Sequence, residues 1–176
     1  MQTKQPNKQN LLIFILLLIT VVAVSVTVWA LFFRTTDAAL VPDHAPVVEE
    51  ANAQPIPGDS GKGEAAEPGS GNVSLSYSNQ VTIDLSSKTV RLIFANPGRS
   101  NQDVMLQLVI QGRVILQSGR ITPGNQVTEL VLPEESAAIL IAGGYEGTFL
   151  LHFYDALSSE KSIVTTELPV SVTVTN

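Results

Sequence analysis

Residues 145–154 read Tyr-Glu-Gly-Thr-Phe-Leu-Leu-His-Phe-Tyr. In an extended chain, Tyr145, Gly147, Phe149, Leu151 and Phe153 share one side, with Glu146, Thr148 and His152 opposite. An apolar period of two marks a half-buried antiparallel strand. The same period extends in both directions. Leu168, Val170, Val172 and Val174 face one way, and Ser171, Thr173 and Thr175 the other. Val104, Leu106, Leu108 and Ile110 share a face, as do Val90, Leu92 and Phe94. Strands are expected over 73–77, 80–85, 88–95, 103–111, 113–118, 126–132, 145–154 and 163–175. Seven or eight short strands in about 100 residues predict an all-β fold, an immunoglobulin-like antiparallel β-sandwich, with a small open barrel as the rival. The Cys…Trp…Cys signature of true immunoglobulin domains is absent, because the chain has no cysteine and one tryptophan, Trp29.

Turn residues separate the strands. Asn96-Pro97-Gly98 ends one of them. Gln111-Gly112 fits a two-residue hairpin loop, and Pro123-Gly124 the centre of a type II turn. Pro133-Glu134-Glu135-Ser136 suits one helical turn, with acids at the positive helix end. Pro169 lies inside the last strand, so its missing N–H must point off the ladder, at an edge or a bulge.

Asn96, Pro97, Ser118, Gly119, Pro123, Gly124, Leu130, Leu132, Gly144 and Tyr145 follow one another in a pattern of Asn-Pro, Ser-Gly, Pro-Gly, paired leucines and Gly-Tyr. This pattern resembles an uncharacterised, membrane-anchored, extracytoplasmic β-sandwich (immunoglobulin-like) domain family of Gram-positive bacteria. The resemblance covers about 60 of the 104 residues in 73–176 and implies fold and location. It carries over no catalytic residues. The insert 134–142 before Gly143-Gly144 is longer than that pattern has.

Upstream, residues 11–33 are uncharged and read LLIFILLLITVVAVSVTVWALFF. A helix of 23 residues at about 1.5 Å each spans roughly 34 Å, enough for a hydrocarbon core of about 30 Å. Thr20, Ser25 and Thr27 can bond back to helix carbonyls. Lys4 and Lys8 precede the run and Arg34 alone follows, which favours an inside N-terminus. Trp29, Phe32 and Phe33 suit the outer interface. Val28-Trp29-Ala30 would fit signal-peptide cleavage, but the apolar run outlasts a signal core of about 7–15 residues. An uncleaved single-pass signal anchor is therefore expected.

Residues 34–72 hold five of the ten prolines, five glycines, and seven acids against Arg34 and Lys62. Without an apolar period they read as a disordered Pro/Gly/acidic stalk. The expected organisation is a cytoplasmic tail (1–10), a transmembrane helix (11–33), the stalk (34–72) and an extracytoplasmic domain (73–176).

The formal net charge of −6 argues against nucleic acid as a partner. The absence of Cys removes disulfides, thiolate metal sites and thiol nucleophiles. His44 falls in the stalk, and His152 could be paired with Asp155 and Ser158 or Ser159. Neither a nucleophile elbow nor a phosphate-binding motif accompanies it. The loop from Asp155 to Glu160 offers fewer oxygens than calcium needs. No catalytic, metal or cofactor residue is expected. Tyr77, Tyr145 and Tyr154 are candidate glycan contacts, because tyrosine joins an apolar ring to a wet hydroxyl. The expected function is a non-enzymatic module on the cell surface, contacting a protein partner in an envelope assembly. A glycan- or cell-wall-binding module is the alternative, and a membrane-tethered hydrolase comes third.

Overall fold

A computed structural model describes residues 8–33, 41–59 and 73–176, with side chains in the first segment at 12–26. The chain divides into two units, Met1–Thr36 and Asp37–Asn176. The first holds α1 (Lys8–Phe33). The Thr20 hydroxyl donates to the Leu16 carbonyl at 2.9 Å, the back-bond expected of a hydroxyl in an apolar helix. Among the described residues no helix is long and apolar enough to cross a membrane. Positions 11 and 27–33 of the expected span lie outside those with described side chains, and the tail at 1–7 lies outside the described residues.

Among its described residues the second unit is all-β apart from one helical turn. Its strands are β1 (Gln54–Pro55), β2 (Ser76–Tyr77), β3 (Gln80–Asp84), β4 (Thr89–Asn96), β5 (Gln102–Ile110), β6 (Arg113–Gln117) and β7 (Asn125–Val131). After α2 (Glu134–Ala137) come β8 (Gly143–Asp155) and β9 (Lys161–Thr175). They form one curled sheet in the order β1-β7-β4-β3-β9-β8-β5-β6, with β2 on β4. Val90, Leu92 and Phe94 of one half and Leu106, Leu108, Phe149, Leu151 and Val172 of the other belong to a single buried core. The alternating face predicted for each long strand is the face that packs there. The Gln111-Gly112 loop has φ of +52° and +76°, as a type I′ hairpin turn requires.

Two expectations are corrected. The sheet is mixed rather than antiparallel, since β3 runs parallel to β9, pairing Gln80 with Ser171 and Asp84 with Thr175. Alternation has the same period in both kinds of pairing, so it carries no direction. Nor is the whole of 34–72 a stalk. Residues 41–59 form a strap bonded along the domain, and β1 within it pairs with Asn125 and Gln126. Its contacts are backbone hydrogen bonds, single side-chain contacts and the isolated apolar residues Val41, Ala45 and Ala53, which leave no apolar period to read. The rest of the expected stalk, 34–40 and 60–72, lies outside the described residues.

Candidate functional site

The strap covers the outer face of β5 and β8, where the unusual side chains of the domain meet. Register places Asp103 opposite Tyr154 and Met105 opposite His152. Met105 and Tyr154 are fully buried and pack with Ala45 and Val41 of the strap in a second small core. The strand pair is therefore buried on both faces at 103–108 and 151–154. The run 149–154, apolar or aromatic at every position but His152, is the signal for this, since a strand with one wet face alternates.

Backbone bonds fix the strap from end to end. Ala45 N–H donates to Ser159 at 2.8 Å, and Lys161 N–H to Asp43 at 2.9 Å. Glu50 N–H donates to Arg120 and Arg120 N–H to Val48. Further along, Ile56 N–H donates to Gly124 at 2.9 Å. Acidic side chains cap amides: Glu50 accepts from Gly119 N–H at 2.7 Å and from Asn52 N–H at 3.1 Å, and Asp59 accepts from Gly98 N–H at 2.7 Å. The Tyr154 hydroxyl donates to the Pro42 carbonyl at 3.2 Å.

Electrostatics ties the same face together. The Arg120 guanidinium lies 3.0 Å from Glu49 on the strap and 3.6 Å from the buried carboxylate of Asp103. Burial pushes the Asp103 pKa up, Arg120 pulls it back, and Glu49 and Asp155 push it up further. His152 is 3% exposed. Its Nε2 lies 3.2 Å from Gln107 Oε1, while Gln107 Nε2 donates to Gln117 at 2.8 Å. That chain assigns the imidazole proton to Nε2. It leaves Nδ1 buried without a hydrogen-bond partner. Burial, then the charge of Lys161, lowers the His152 pKa.

His152 was expected on an exposed strand face. It is buried, opposite Met105 of β5 and beside Gln107. Its hydrogen bond goes to Gln107, and the Asp155 carboxylate instead accepts from the Leu157 and Ser158 amides of its own turn. Those amide bonds hold the Asp155 pKa down. Among the described residues no three His, Cys, Asp or Glu side chains gather as metal ligands. The three tyrosines are not brought together. Tyr77 is 39% exposed on β2, and Tyr145 is half-buried, its hydroxyl donating to Ile141 at 2.8 Å. Tyr154, at the other end of β8 from Tyr145, has no exposed surface.

The turn residues of the sequence pattern brace the strap and its neighbours. Ser118 Oγ accepts from Leu106 N–H, and Asn96 Nδ2 donates to the Gln102 and Ile121 carbonyls. Gly119 permits the strap to pass: a Cβ there would stand 2.8 Å from Glu50 N. Glu49, Glu50, Asp103, Gln107 and Arg120 were not anticipated, for each matters through a contact distant in sequence.

No protein-family model matches the chain, and no curated protein matches it. Among solved structures it is similar to AggA, the major subunit of aggregative adherence fimbriae type I from Escherichia coli. The identity is 13% over 60% of this chain and 96% of that chain, with a TM-score of 0.29, too low to carry a functional argument.

Proposed function

We propose that the chain is a single-pass membrane protein with its N-terminus inside, presenting an immunoglobulin-like sandwich outside the membrane as a non-enzymatic binding module for a protein partner in an envelope assembly. The uncharged run 11–33 supports the anchor. The pairing of β4 with β7, and of β5 with β8 and β8 with β9, supports the immunoglobulin-like arrangement. The engagement of His152 by Gln107 and of Asp155 by its own turn supports a binding role rather than catalysis.

One observation carries the binding role. Val131, Ile139 and Ile141 are 72%, 50% and 74% exposed around the connection from β7 to β8. Register pairs run Val131–Thr89, Thr89–Asp84, Asp84–Thr175 and Val174–Gly143, so this connection sits at one end of the domain. Exposed aliphatics gathered at one end suit a partner surface. The test is a photo-crosslinking amino acid at position 139 or 141 of the full chain in intact cells. An adduct of defined mass at these positions, and none from Thr128 on the outer face of β7, is expected. Equal labelling at all three positions, or none, contradicts the reading.

A further inference from the structure

We propose that the strap, residues 41–59, is a breakaway segment: tension drawn on the chain ahead of Val41 peels it from the domain while the sheet stays folded. Its use rests on the reading above, in which an anchor ahead of the strap and a partner at the β7–β8 connection load the chain between two points. Separability follows from where the apolar burial lies. The buried members of the main core run from Val81 to Val174, and of the strap only the half-buried Ala53 packs against them. The strap's other apolar contribution is Val41 and Ala45 against Met105 and Tyr154. Lifting it uncovers those two side chains and leaves the main core closed. A segment with so little buried apolar surface opens locally, short of global unfolding.

The order of the bonds decides how the strap comes off. Along its length it meets the domain first at Ser159 and Lys161, then at Arg120, then at Gly124 and last at Gly98. A pull at Val41 loads these points one after another, so each yields alone. Past Gly98 the load reaches Ser74, whose amide bonds Ser100, and then β3. There the geometry changes. β3 and β9 run parallel, with Gln80–Asp84 beside Ser171–Thr175. A load entering β3 at Gln80 and leaving β9 at Thr175 draws the strands past each other along their length, and their cross-strand bonds bear it together. The strap therefore yields at a lower force than the sheet. Residues 41–72 number 32 and, at about 3.5 Å each, supply up to about 110 Å of chain. Reach is gained without unfolding the module, so the partner surface at Val131, Ile139 and Ile141 survives the load.

The chain has no cysteine, so cysteines placed at Asp37 and Asn176 give two unique handles. Full-length D37C/N176C in detergent micelles is stretched between DNA tethers in optical tweezers. Two separate extensions are expected, the first of up to about 110 Å of contour at less than half the force of the second. E50A removes the acceptor of the Gly119 and Asn52 amides. It should lower or abolish the first extension and leave the second in place. A single extension of strap and sheet together, or a first extension at or above the force of the second, overturns the proposal. So does a first extension that E50A leaves unchanged, or an E50A effect equal on both. Neither handle lies in α1, so these outcomes stand apart from the anchor and partner readings, which cysteine accessibility and crosslinking in intact cells test by themselves.

Discussion

At Gly119 the strap and the sheet are in backbone contact, and Glu50 both passes over this glycine and caps its amide. Gly119→Ala is expected to cost about 1–3 kcal/mol, because backbone cannot yield as a flexible side chain does. Glu50→Ala removes a charged acceptor from two amides and is expected to cost about 1.5–3 kcal/mol. The two lift the same segment, so the double variant should lose less than the sum in urea unfolding. Full additivity would mean that they act separately. The buried imidazole gives a second test. Its pKa is held below the usual 6.5, so in acid the unfolded chain binds a proton that the folded chain refuses. Stability from neutral His152 is thus complete above about 6.5 and declines as pH falls through the lowered folded value. Asp103, with its raised pKa, acts with the opposite sign. Comparing unfolding midpoints at pH 7.5 and 5 isolates the histidine: His152→Gln should flatten the loss. An unchanged slope would contradict the assignment.

Strands are the elements most legible in the sequence. Period-two patterns in 89–95, 103–111, 145–154 and 167–175 place the core faces, and Gln111-Gly112 fixes a hairpin. The strap was not legible. Its prolines and acids match the composition of a disordered linker, yet Pro42 supplies a carbonyl to Tyr154, Pro55 joins an edge strand, and Glu49, Glu50 and Asp59 bind the sheet. Composition reports what a segment cannot bury alone, and it is silent about single bonds to distant residues. Pro169 shows a local rule succeeding. Ser171 N–H donates to Asn79 on the side of β3, so two residues earlier the Pro169 nitrogen faces the same side, beyond where β3 pairing begins. The missing N–H, the charge of Glu167 and the register shift near Ile163 blunt this open edge. The double substitution Pro169→Thr, Glu167→Thr restores a flat donor edge and should increase self-association in light scattering at tens of micromolar. An unchanged mass would show that these residues do not guard the edge.

The β unit exposes apolar side chains at two ends. One gathers Val131, Ile139 and Ile141 around the β7–β8 connection, and the other carries Leu157 and Ile163 beside the start of the strap. With 41–59 bound to the domain, the stretch expected as a long spacer holds a strap bonded to the sheet. Three of the acids expected to extend a stalk serve otherwise, Glu50 and Asp59 as caps and Glu49 in an ion pair. All of this turns on the side of the membrane that the domain occupies, which cysteine accessibility measures directly. In intact cells expressing the full-length chain, a membrane-impermeant maleimide should label N176C before lysis and T3C only after it. Protection of position 176 until lysis would place the domain inside and contradict the account.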